Sequence, residues 1–93
     1  MIKRVELSKL ARKQLKKLPR YIVENLASWV EDVEIRGLEE VRKIPGYHDE
    51  SLHGDRAGQR SIRLSRAYRA IYILNNDGEA EIVFVEEVSK HDY

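Results

Sequence analysis

The sequence predicts an α+β domain: a short opening strand, a two-helix hairpin, and a C-terminal antiparallel sheet with both helices packed on one of its faces. Three observations carry that expectation. Apolar residues recur at helical spacing between Leu7 and Val33, short runs of strand character follow Arg60, and Asn75-Asn76-Asp77-Gly78 separates two of those runs as a hairpin turn. A chain of 93 residues has room for one modest core, so residues 1–93 are expected to form a single domain.

Met1 to Leu7 reads as the opening strand, with Val5 and Leu7 on one face. Ser8 then caps a first helix, whose stripe is Leu7, Leu10, Ala11, Leu15 and Leu18 and whose lysines fill the opposite side. Pro19 stops it. A second helix is expected from Arg20 to Arg36, burying Ile22, Leu26, Trp29, Val30 and Val33, with Gly37 as its stop. From Leu38 to Arg60 the periodicity weakens, and Pro45, Gly46, Gly54 and Gly58 mark a connecting segment. The strands that follow are Arg60 to Ser65, Tyr68 to Leu74 and Ala80 to Val88. Alternation puts Arg63 on the face opposite Ile62 and Leu64.

The chain has no cysteine, which removes disulfides and thiolate metal sites and fits a cytoplasmic protein. No apolar run approaches the roughly 18 residues of a membrane span, and the opening residues lack a signal-peptide pattern, so no membrane partner is expected. The net charge of +1 hides a segregated distribution. Lys3, Arg4, Lys9, Arg12, Lys13, Lys16, Lys17 and Arg20 face only Glu6 in the first segment, while Arg56, Arg60, Arg63, Arg66 and Arg69 fall in a segment without an acid. Two basic segments against an acidic remainder point to one cationic face suited to phosphate.

Three groups of residues are candidates for chemistry. Arg69 shares its strand face with Ile71 and Ile73, so it either pairs with an acid such as Glu81 or Glu87 or binds an anion. His48-Asp49-Glu50-Ser51-Leu52-His53 places carboxylates and imidazoles just before the arginine-rich strand. Its spacing lacks the helical i, i+4 pair of zinc motifs, so no metal is expected, and acid–base chemistry with an arginine stabilising charge is the functional alternative to a solvated loop. Lys90-His91-Asp92-Tyr93 follows the apolar run Ile82-Val83-Phe84-Val85, a strand that would deliver the tail to the edge of a sheet.

The order of elements and these residues together resemble the RelE/ParE superfamily of bacterial type II toxins, most nearly its YoeB and HigB type of mRNA interferase. Glu50-Ser51-Leu52-His53 resembles the Glu-Pro-Leu-Lys stretch of those toxins, Tyr68-Arg69-Ala70-Ile71-Tyr72 their arginine-bearing strand, and His91 with Tyr93 their C-terminal His-Tyr. Asp92 separates that pair here, and His53 stands in place of the usual lysine. The resemblance implies a RelE-like fold and a metal-independent endoribonuclease, without cofactor, that cuts mRNA in the ribosomal A site and is restrained by a cognate antitoxin. It implies Glu50 as base, His91 as acid with His53 as its rival, Arg69 as phosphate clamp and Tyr93 as the residue that orients RNA. Arg60, Arg63, Arg66 and Lys90 are further candidates for phosphate contact. A ParE-like inhibitor of DNA gyrase with the same fold is the alternative.

Overall fold

The computed structural model describes residues 1–88. Five strands form one mixed sheet in the order β1-β5-β4-β3-β2. They are β1 (Val5–Leu7), β2 (Glu50–Ser51), β3 (Arg60–Arg63), β4 (Tyr68–Leu74) and β5 (Ala80–Glu87), and the helices are α1 (Lys9–Leu15), α2 (Arg20–Arg36) and α3 (Leu38–Val41). Neighbouring strands from β2 to β5 run antiparallel, whereas β1 lies parallel to β5, Val5 opposite Ala80. Among the described residues, no helix is long and apolar enough to cross a membrane.

Ser8 caps α1 as its residue type predicts, its Oγ accepting from the Ala11 N–H at 3.0 Å. The same hydroxyl donates to the Val83 carbonyl, which fastens the start of the helix to β5. The helix is only seven residues long and buries Ala11 fully, while Leu10, expected on the apolar stripe, is 52% exposed. Its Gln14 side chain instead adds a polar attachment, donating to the Val85 carbonyl at 2.8 Å and accepting from the Val85 N–H at 2.7 Å. The amide thereby satisfies strand groups on β5 beyond the end of β1.

The second helix has the predicted bounds, entered after Pro19 and left at Gly37, whose φ of +85° suits a residue without Cβ. Its buried stripe Ile22, Leu26, Trp29 and Val33 packs with Ile62, Leu64, Ala70, Tyr72, Ile82 and Val85 on one face of the sheet. The Trp29 and Tyr72 rings meet at 5.2 Å between centroids. Between Leu38 and Arg60 the chain is more ordered than the weak periodicity suggests. Leu38 and Val41 of α3 join the core, and two 3-10 turns, Pro45–Tyr47 and Gly54–Arg56, flank the two-residue strand β2.

The register of β4 against β5 shifts at Val83. Tyr72 faces Ile82 but Ile71 faces Phe84, so Val83 is an extra residue, a β-bulge. Ahead of it Ala80 and Ile82 face the helices; beyond it Val85 does, and Phe84 and Glu86 turn to the other face. Among the described residues, no α-helix lies on that second face. It buries Ile71 beside Phe84, and the Gly54–Arg56 turn reaches over it, with the Arg56 guanidinium 5.4 Å from the Phe84 ring centroid.

Candidate functional site

The helix-free face holds a cleft of about 200 Å³ lined by His48, Glu50, Ser61, Arg63, Arg66 and Arg69, with Val88 at its margin. Strand register explains the assembly. Glu50 stands opposite Ser61 and Arg63 opposite Arg69, all with side chains on the face away from Ile62 and Ala70. Glu50 and Arg63 are exposed, Arg69 half-buried. The residues were 19 positions apart in sequence, Glu50 to Arg69, and the sheet brings them to one concave surface.

Arg69 is paired, and its partner is Glu86, not Glu81 or Glu87. Its Nε and Nη2 lie 2.9 and 2.7 Å from Glu86 Oε2. Strict alternation along β5 would put odd-numbered acids beside Arg69; the extra residue at Val83 reverses that parity and brings Glu86 across. Arg56 forks onto the same carboxylate at 2.8 and 3.2 Å. The Arg56 bond, ahead of those from Arg69, holds the Glu86 carboxyl below its ordinary range against the opposing effect of burial. One carboxylate between two guanidinium groups leaves a net positive charge on this side of the cleft.

A second network supports β2 from the helix side. The Asp49 side chain is 1% exposed and accepts from Arg60 Nε at 2.6 Å and from the Tyr72 hydroxyl. Arg60 Nη1 also donates to Ser51 Oγ at 2.6 Å, and Arg42 Nε donates to the Tyr72 oxygen at 3.3 Å. Burial first, then the bond to Asp49, pushes the Tyr72 phenol up to about 12. With Asp49 anchored inward and alternation along the strand, Glu50 is turned outward to the cleft.

The sequence-predicted residues therefore divide. Glu50, Arg63, Arg66 and Arg69 come together; Arg60 is drawn to Asp49 on the helix side, and His53, exposed at the start of the Gly54–Arg56 turn, is not part of the cleft lining. Lys90, His91 and Tyr93 lie outside the described residues. The two basic segments do not make one face, because α1 packs on the core side of the sheet while Arg63 and Arg69 occupy the other. His48, named in the sequence only within the 48–53 cluster, also lines the cleft. It has left-handed backbone geometry, φ +46°, after the Pro45–Tyr47 turn, and its Nε2 lies 3.5 Å from Arg63 Nη1. A guanidinium offers only N–H groups, so a bond there requires the imidazole lone pair. The positive φ had no glycine to announce it.

Residues 5–92 match the model of the ParE toxin of the type II toxin-antitoxin system parDE. The chain belongs to the ParE toxin family. Comparison with curated proteins gives no match. Solved structures agree on the fold of this ParE-family toxin. The archaeal RelE–RelB complex from Pyrococcus horikoshii OT3 contains a chain of 24% identity and TM-score 0.72, with 97% of this chain and 99% of that one covered. YafQ from E. coli strain BL21(DE3) gives 16% identity and TM-score 0.71, covering 89% and 90%. The toxin–antitoxin complex RelBE2 from Mycobacterium tuberculosis gives 22% and 0.63, covering 91% and 96%. The ParE-family toxin thus has the RelE-like α+β fold.

Proposed function

We propose that this toxin is a ribosome-dependent mRNA endoribonuclease whose working surface is the Glu50–Arg69 cleft, and that a cognate antitoxin restrains it in the cytoplasm. The convergence of one exposed carboxylate with Arg63, Arg66 and Arg69 supports the reading above all. Metal-free RNA cleavage needs a base for the 2′-OH proton, an acid for the departing 5′-oxygen and a cation over the charge that builds on phosphorus. Glu50 is the base. Arg69, steadied by Glu86, is the phosphate clamp, with Arg63 and Arg66 as further contacts. His91 is the acid and Tyr93 orients RNA; Val88, three positions earlier in the sequence than His91, lines the cleft. His53 and Lys90 take the outer parts of the RNA path.

The test is end analysis of translated mRNA. Cleavage by the neighbouring hydroxyl leaves a 2′,3′-cyclic phosphate and a 5′-OH, and a single 2′-deoxy nucleotide at the cut site leaves the strand intact. The match to the ParE family supports a second reading, inhibition of DNA gyrase by the same fold. Blocked DNA supercoiling with mRNA left whole, and full toxicity retained in Glu50→Ala and His91→Ala, would establish that reading instead.

A further inference from the structure

On the helix side of Arg63 lies a larger cavity of about 560 Å³, walled by α2 and the Pro45–Tyr47 turn. Its α2 wall is a polar stripe at helical spacing, Asn25, Ser28, Asp32 and Arg36, that borders the core stripe of Leu26, Trp29 and Val33. Its floor is apolar, from Ile44 and Leu64. The Tyr47 hydroxyl donates to Asp32 Oδ2, which fixes the carboxylate against the rim. Arg63 lines this cavity and the phosphate cleft alike.

We propose that this cavity is a nucleobase subsite selective for guanine, adjoining the phosphate cleft across Arg63. A base needs an apolar surface for its ring and polar groups for its edge, in a volume typical of small-ligand sites. Ile44 and Leu64 supply the first, with the Tyr47 ring and the Arg63 guanidinium as stacking surfaces. Asp32 decides the base. Guanine alone among the four presents a ring N–H and an exocyclic amine side by side, two parallel donors that a carboxylate accepts together. Oxygens of a carboxylate each accept more than one bond, so the bond from Tyr47 leaves that capacity in place. Arg36 stands one helical turn beyond Asp32 and offers donors to the guanine carbonyl. Burial and the bond to Asp32 push the Tyr47 phenol up to about 12, so it remains a donor at neutral pH and keeps the carboxylate oriented. The shared Arg63 sets the spacing: a phosphate on one side of its guanidinium and the attached base on the other belong to one nucleotide.

The subsite deepens the endoribonuclease reading and rests on it. Its direct test is calorimetric titration of the full chain with guanosine, inosine, adenosine, cytidine and uridine 3′-monophosphates, beside inorganic phosphate. Guanosine should bind roughly tenfold or more tighter than adenosine, cytidine or uridine, the discrimination a good bidentate contact supplies. Inosine, which lacks the exocyclic amine, should fall between. Asp32→Asn should erase the preference while leaving adenosine affinity unchanged. Ser28→Leu, on the exposed rim, should abolish the gain of every nucleotide over inorganic phosphate and leave phosphate binding intact. Equal affinities, a preference that survives Asp32→Asn, or an Asp32→Asn variant that loses antitoxin binding while keeping its guanine preference would each overturn the subsite. Cleavage mapping separates the two failures. Cuts without guanine bias remove the subsite alone, whereas an absence of cuts removes the endoribonuclease reading and leaves the titration to decide the subsite.

Discussion

Replacing Asp49 with alanine should be among the most damaging single changes in this chain, although the residue touches no proposed substrate. Its carboxylate is 1% exposed and joins Arg60 on β3 to Tyr72 on β4. Removing one partner of a buried ion pair costs about 3–5 kcal/mol. Arg60 is 27% exposed and keeps its bond to Ser51, so solvent offsets part of that cost and places the pair near the lower figure. The fully buried Tyr72 loses the acceptor for its proton, which adds about 1 kcal/mol. A total of roughly 4 kcal/mol should lower the melting temperature by about 15–25 °C in a domain of this size. Tyr72→Phe alone should cost about 1 kcal/mol, and the double variant should cost less than the two single changes summed, because phenylalanine strands no hydroxyl. Urea and thermal denaturation followed by circular dichroism give all three values. A loss below about 1 kcal/mol for Asp49→Ala, or strict additivity in the double variant, would refute the argument that this network holds β2 and orients Glu50.

Three other outcomes follow from the same structure. Glu50→Gln and Arg69→Ala should each slow mRNA cleavage by about 10²-fold or more in a translating extract, with the folded spectrum unchanged, whereas Lys90→Ala, an outer contact, should cost less than Arg69→Ala. Glu86 has a depressed carboxyl pKa in the fold, so its contribution is present above the unfolded value of 4.5 and is lost as pH falls through the lower folded value. The melting-temperature gap between the parent and Glu86→Gln should therefore hold from neutral pH to about pH 5 and close on further acidification; a gap that persists at strongly acid pH would contradict the ion pairs. Ser8→Ala should cost about 1–2 kcal/mol in urea unfolding, from loss of the α1 cap and of the bond to Val83; an unchanged midpoint would mean that water replaces both.

The readable parts of this chain were those determined by local chemistry. Pro19 and Gly37 bracket α2, its apolar residues repeat at helical spacing, and Ser8 and Asn75-to-Gly78 announce a cap and a turn. Asn75 Oδ1 accepts from the Asp77 and Glu79 N–H groups, the local bonding its residue type favours. The face of Arg69 was legible because β4 alternates without interruption. Its partner was not, because no residue in Val83-Phe84 marks a bulge. Asp49 read as a loop carboxylate beside Glu50 and Arg60 as a candidate phosphate contact; only strand pairing across β2, β3 and β4 turns both toward Tyr72, and such pairing depends on register that a two-residue strand cannot announce. The parallel partner of β1 likewise depends on a contact across most of the chain.

The extra residue at Val83 works as a change of phase. Up to Ile82, strand β5 is counted from the core; from Phe84 onward it is counted from the cleft. Deleting Val83 would join Ile82 to Phe84 in plain alternation and leave Val85 on the helix side and Glu86 across from Arg69, whereas one residue inserted between Phe84 and Val85 would carry Glu86 to the helix side and Val85 to the open one. Insertions at the tip of the 75–79 turn, by contrast, lie ahead of the count and change neither. Length is therefore free in the turn, can fall by one residue at the bulge, and is fixed beyond it, so relatives compared by gaps would show a tolerant turn, a bulge that closes by a single loss, and then a stretch in which one added residue inverts the surface.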